Sequence, residues 1–263
     1  MQPFRTLLSL LLVVTAFSAC KSTEPVQTPD AGVVALASMP MEERLVQAHI
    51  QALGGMENLK NVQSITMQAE VSMMGMNMPL KMYMKRPGMM RNEVDVTAMN
   101  MKIVTGYDGT TAWTINPMIG PGAQVLAGSQ ARGVVEQAQI DGILVDYAEK
   151  GYTVTFLGEE AVGGKPAHKL KVDRPDSTPV ILYLDAVSHL PVKQEGEGID
   201  PQSGNAIQVT TMLSDYRTVG GIMMPYQMEM ELGGAMSQKV TMKEIVVNAD
   251  ISDSIFELPV SSN

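Results

Sequence analysis

The sequence holds one cysteine in 263 residues, so no disulfide can form within the chain. Its three histidines, His49, His168 and His189, stand at separations that match no metal-ligand motif. There is no Gly-x-Ser-x-Gly elbow, no Walker loop and no dinucleotide fingerprint. Glu159/Glu160 and Glu229/Glu231 are carboxylate pairs, but Glu229 and Glu231 fall on the wet side of a strand whose other side carries Met228 and Met230. Nothing here argues for catalysis or for a resident cofactor. Basic clusters are missing as well. Lysine and arginine total 19 against 28 acidic residues, a formal net charge of −9. That balance speaks against nucleic acid as a partner and against electrostatic docking on anionic lipid. A long hydrophobic run occurs once, from Leu7 to Val14, and is too short to span a bilayer.

That run follows Arg5 and precedes Phe17-Ser18-Ala19-Cys20, the pattern of a secretory signal peptide over residues 1–19. The lone cysteine stands directly after the cleavage site. The ending resembles a bacterial lipobox, in which the cysteine becomes the acylated first residue; Phe17 departs from the usual aliphatic residue there. An ordinary signal peptide with a chance cysteine is the alternative. Acyl chains on Cys20 would anchor the protein, each buried methylene adding about 0.8 kcal/mol. Residues 20–40 then read as a lipidated N-terminus and flexible linker, aperiodic, with Pro25 and Pro29. Within it, the eighteen residues 21–38 reach about 60 Å when fully extended. Removing residues 1–19 from 263 leaves 244, enough for one large β domain over 41–263.

Methionine is what the chain has in excess. Eleven of its 23 methionines fall between Met67 and Met101. Ile65, Met67, Ala69, Val71 and Met73 alternate with polar residues, a period of two that gives a strand one apolar face. The alternation returns at Leu80, Met82 and Met84, at Met90, Val94 and Val96, and at Met99, Met101 and Ile103. Short consecutive strands of this kind pair as an antiparallel meander with the methionines on one wall. Methionine is unbranched and polarizable and adapts to irregular apolar shapes. The preferred reading is a cavity for an apolar ligand, lined by Ile65, Met67, Val71, Met73, Leu80, Met82, Met84, Val94, Met99, Met101, Ile103, Trp113, Met228 and Met230. Two other readings stay open: a methionine-heavy core with no ligand, and a Cu(I) site built from Met-x-Met pairs, since Cu(I) favours thioethers. Met74, Met76 and Met78 make the first hairpin tip unusually apolar, a candidate for membrane contact.

The remaining elements follow from punctuation. Pro40 with Glu42 and Glu43 opens a helix that Gly54-Gly55 ends. Asp108-Gly109 signals a hairpin. Asn116 to Gly128 reads as a mobile loop. Ser129 to Ile140 reads as a helix weakened by Gly133, at about 1 kcal/mol relative to alanine. The second half is all hairpins, and the last strand shifts phase after Met242, the mark of a bulge. About eleven or twelve strands result.

Several stretches together resemble the bacterial outer-membrane lipoprotein-sorting family, with the LolA/LolB-like fold. They are Ala52-Leu53-Gly54-Gly55, Tyr107-Asp108-Gly109 with Trp113, Leu213-Ser214-Asp215-Tyr216-Arg217 with Gly221-Ile222-Met223-Met224-Pro225, and Phe256-Glu257-Leu258-Pro259. The resemblance covers roughly residues 41 to 259. It implies a mainly β fold, an unclosed antiparallel half-barrel with an N-terminal helix and a mid-chain helical lid. It implies acyl chains or lipoprotein cargo as the ligand, a periplasmic carrier protein as a partner, and attachment to the membrane through the lipid anchor. Lys21, rather than aspartate, follows Cys20, which by the enteric sorting rule places the protein on the periplasmic face of the outer membrane. A sensor of envelope stress that shares this fold and binds a protein partner is the alternative.

Overall fold

The computed structural model describes residues 39–175, 177–199, 205–234 and 236–259. The signal peptide, Cys20 and the linker up to residue 38 lie outside the described residues. Thirteen strands form one antiparallel sheet in the order β6-β5-β4-β3-β2-β1-β13-β12-β11-β10-β9-β8-β7. The sheet is unclosed: β6 (Ala123–Val125) and β7 (Thr153–Val162) are its two edges. The N-terminal arm is a meander of β1 (Ser64–Met73), β2 (Met76–Lys85), β3 (Met89–Val96), β4 (Met101–Tyr107), β5 (Ala112–Ile115) and β6. The C-terminal arm runs from β7 through β8 (Lys165–Arg174), β9 (Ser177–Asp185), β10 (Pro191–Ile199), β11 (Ala206–Val219) and β12 (Ile222–Leu232) to β13 (Met236–Val247). Pairing of β13 with β1 joins the arms. The count exceeds the expectation by the three-residue β6, which lies inside the stretch read as a loop. It is too short to show a period.

Register turns alternation into rows. Met67 pairs with Met82 and with Ile245, Leu80 with Val94 and Val94 with Ile103, and Met84 with Met90. All these side chains share one face, because cross-strand partners point the same way. β13 inserts Lys243 between Met242, opposite Ala69, and Glu244, opposite Gln68, which is the bulge expected from its phase shift.

Three helices meet this inner face. In α1 (Met41–Ala52), Leu45, Val46, His49 and Ile50 are buried, a stripe at helical spacing. Gly54 and Gly55, with φ of +117° and +85°, end it. A Cβ at Gly54 would lie 2.2 Å from the Gly221 carbonyl oxygen, and the Met223 N–H donates to the Leu53 carbonyl at 2.9 Å. The helix end is therefore pressed onto the β11–β12 turn, and only glycine fits. α2 (Met56–Asn61) is a short turn of helix, and α3 (Gly128–Gln137) follows β6. Leu45, Val46, Ile50, Leu59, Val134 and Ala138 join Ile65, Met67, Val71, Leu80, Met84, Met90, Leu170, Val172 and Leu182 in one apolar core.

A smaller core lies on the other face. Thr66, Tyr83, Arg91, Gly106 and Trp113 are successive cross-strand partners, out of phase with the inner rows. Trp113 is fully buried there, and its Nε1 donates to the Phe256 carbonyl at 2.9 Å. The segment after β13 straps across this outer face. Lys85 Nζ donates to the Ile251 carbonyl at 2.7 Å, and Arg91 to that of Ile255 at 2.9 Å. Trp113 is thus no part of an inner lining. The sequence shows it as an apolar residue in a four-residue strand, where parity is unreadable without the partner register.

Candidate functional site

The inner face offers more apolar surface than the helices cover. Ile65, Met67, Val71, Leu80 and Met84 are buried beneath them, whereas Met73, Met82, Val94, Met101, Ile103, Met228 and Met230 pack against the core half-buried. Met99 does not belong to this set. It ends a 3-10 turn, Thr97–Met99, and is 56% exposed, because Asn100 adopts φ of +48° and starts β4 only at Met101. Alternation across a tight turn does not carry a face through it.

α3 is the weakly held part of the cover. It touches β4 and β5 on one arm and β10 on the other, so it bridges the mouth of the half-barrel. Its own stability is low. Ala127 at its N-cap supplies no side-chain hydrogen bond, Gly133 sits mid-helix, and Val134 is its one buried residue. Across the mouth it is tied by Glu136, which pairs with Arg174 at 2.7 Å and accepts from Ser177 Oγ at 2.9 Å. Glu136 is exposed, so solvent screening leaves that pair at about 1 kcal/mol or less.

The segment after α3 is held harder. Arg86 grips Asp141 through both carboxylate oxygens at 2.6 and 2.7 Å and also donates to the carbonyls of Val62 and Leu59. Those guanidinium hydrogen bonds hold the Asp141 carboxyl below the usual carboxylate range. Lys60 pairs with Asp146 just beyond, and that hydrogen bond raises the lysine. Leu144 and Val145 between them are buried. The lid thus has one firm end, at Asp141 and Asp146, and one loose end, at Ala127 and Gly128.

Three strand turns put exposed methionines on one rim. In an antiparallel meander the β1–β2, β3–β4 and β5–β6 turns lie at the same end of the sheet. Those turns carry Met74 (77% exposed), Met99, Met118 and Ile119, all exposed. Met74 and Gly75 both have positive φ, +51° and +77°, as a type I′ turn requires. Met76 pairs with Met73 and is half-buried. Met78 is 6% exposed opposite Val71, so it belongs to the inner face and not to the tip. The strands simply run closer to the turn than its apolar composition indicates.

All three histidines converge at the opposite end, which no spacing in the sequence reveals. His49 Nδ1 donates to the His189 carbonyl at 3.0 Å, and the His168 and His189 rings stack with centroids 6.1 Å apart. Glu159 Oε1 lies 3.4 Å from His168 Nδ1. Burial lowers the pKa of His49. Among the described residues no group of three or more His, Cys, Asp or Glu side chains is placed to hold a metal ion. Two hollows, of about 150 and 280 Å³, open around Tyr83 and are lined mainly by outer-face residues, with Met67 also lining the first.

No family model matches the sequence, and no curated protein matches it. Solved structures do. A DUF1329 family protein from Desulfovibrio piger superposes with a TM-score of 0.57 at 15% identity, over 83% of this chain and 98% of that one. A LolA superfamily protein from Nitrosomonas europaea gives 0.56 at 14%, over 83% and 98%. A domain from Vibrio parahaemolyticus ascribed to outer membrane lipoprotein sorting gives 0.56 at 12%, over 82% and 97%. The chain has the LolA-like fold.

Proposed function

We propose that this protein binds acyl chains, free or borne by a lipoprotein, on the inner face of its half-barrel, at the membrane to which Cys20 anchors it. One observation carries the reading: the inner wall keeps half-buried methionines, Met82, Met101, Met228 and Met230, beside a helix too weakly held to be a permanent cover. A hydrocarbon chain needs continuous apolar surface and no directional contacts. Each methylene buried there contributes about 0.8 kcal/mol. Ile65, Met67 and Val71 lie beneath the helices, so a chain reaches them only when the cover shifts. The hinge at Asp141 and the loose start at Gly128 set the direction of that shift.

The rim bearing Met74, Met99, Met118 and Ile119 is the edge that meets the membrane during transfer, with Met76 behind it. Isolated protruding side chains suit fluid lipid, which closes around each of them; a protein partner needs a contiguous surface. The setting is the periplasmic face of the outer membrane, and a periplasmic carrier delivers the lipoprotein cargo to be sorted. Native mass spectrometry of the mature Cys20→Ser protein tests the binding step. Retained lipid, displaceable by added fatty acid, is the expected result. A protein that stays empty in the presence of acyl ligands sinks the reading.

A further inference from the structure

The inner wall of the N-terminal arm is interrupted by one polar row. Asn92 of β3 pairs with Thr105 of β4, and Thr105 with Thr114 of β5. Apolar rows bound it on both sides: Met90, Tyr107 and Ala112 toward one end, Val94 and Ile103 toward the other. Thr114 is 7% exposed; its Oγ1 donates to the Val104 carbonyl at 3.0 Å and lies 3.4 Å from Thr105 Oγ1. The threonines are therefore supplied from within. Asn92 is not: its Oδ1 is buried and has no hydrogen-bond partner. A buried acceptor left unpaired is destabilising, and a leucine at that place would carry no such cost. α3 passes over β4 and β5, so this row lies where the lid closes.

We propose that Asn92, backed by Thr105 and Thr114, binds the polar junction at the head of the acyl ligand and selects a chain joined through a secondary amide over one joined through an ester. This rests on the acyl-binding reading and specifies its ligand. An amide N–H meets the unpaired Oδ1, while the carbonyl of the trans amide points the opposite way, so recognition rests on that one bond. An ester of the same shape brings two acceptors and no donor, so it leaves Oδ1 unpaired. Discrimination by a missing hydrogen bond in a buried site is larger than discrimination by shape alone.

The test compares N-methylhexadecanamide with methyl hexadecanoate, which differ by one N–H, on the mature Cys20→Ser protein and on its Asn92→Leu variant. The expected result is roughly tenfold preference for the amide, the equivalent of about 1.4 kcal/mol, lost in Asn92→Leu through weaker amide binding. The variant is also expected to unfold at a higher temperature than the parent, because an unpaired buried group has been removed. Equal binding of the two probes by the parent, or the same preference in the variant, overturns the inference while leaving acyl binding intact. Failure to bind either probe overturns the acyl reading and the inference with it. A destabilised variant also overturns it, since Asn92 would then be serving the fold.

Discussion

His49 and His189 stand 140 residues apart, yet Nδ1 of the first donates to the backbone carbonyl of the second across 3.0 Å. The bond fastens α1 to the β9–β10 turn. It also fixes the tautomer, because a carbonyl can only accept and Nδ1 must carry the proton. His49 is 4% exposed, and desolvation disfavours its charged form.

A pH dependence of stability follows. The folded-state pKa of His49 lies below the value of 6.5 that the unfolded chain retains. Above that value neither state is charged and the fold is at full strength. As pH falls below it, the unfolded chain takes up a proton that the folded one resists, and stability is lost at up to about 1.4 kcal/mol per pH unit. Thermal unfolding between pH 8 and pH 5.5 should show this decline. His49→Gln keeps a donor and removes the titration, so its curve should be flatter over the same window; matching slopes would remove His49 as the cause.

Arg86 is the fastening of the lid's firm end. Arg86→Ala leaves the Asp141 carboxylate and the Val62 carbonyl without the Arg86 donors, and the Leu59 carbonyl with the Val62 N–H alone. The expected loss is roughly 2–4 kcal/mol in urea unfolding. Arg86→Lys should recover only part of it, since an ammonium cannot reproduce the two-pronged grip. Full recovery by lysine would show that charge alone matters.

The hold on α3 can be changed in opposite senses. A Cβ at Gly133 would meet nothing within 4 Å, so Gly133→Ala should stabilise the helix by about 0.5–1 kcal/mol and slow the exchange of a bound fluorescent fatty acid. Glu136→Ala releases Arg174 and Ser177 and should speed that exchange, with less than about 1 kcal/mol lost in global stability. Equal exchange rates in the two variants would exclude α3 as the gate.

Met74 holds a left-handed conformation that asparagine adopts more readily. Met74→Asn should therefore raise stability by roughly 0.5–1 kcal/mol while reducing binding of the non-lipidated protein to liposomes. A gain in stability with unchanged liposome binding would show that the rim does not touch lipid. Adding Met99→Ser should deepen the loss of binding, because the two side chains stand on neighbouring turns of one rim.

Phe256 is fully buried and its carbonyl receives the Trp113 indole N–H. Phe256→Ala should cost about 3–5 kcal/mol and shift tryptophan fluorescence to the red as water reaches the ring. The inner face is untouched by this change, so acyl binding below the new melting temperature should persist.

Much of this protein is local in origin. A period of two in Ile65–Met73 and Leu80–Met84 is enough to specify strands with one apolar face. Gly54-Gly55 and Asp108-Gly109 are enough to place breaks, and Met242 followed by Lys243 is enough to announce the bulge. These signals survive in one dimension because side-chain direction along a strand is set by the residue's own backbone. Met78, Met99 and Trp113 were beyond that reach. Each lies next to a turn or in a very short strand, where the face is decided by which residue of the neighbouring strand sits opposite.

The polar row from Asn92 to Thr114, the meeting of three histidines and the fastening of α3 by Glu136 and Asp141 belong to the tertiary structure alone. Each joins residues from different strands or helices, and no spacing along the chain encodes which of them will be neighbours. Sequence made the greasy wall; register and packing decided what stands on it, what covers it and where the cover is loose. The reason is physical: alternation fixes direction locally, whereas adjacency is settled only when the whole sheet has chosen its pairing.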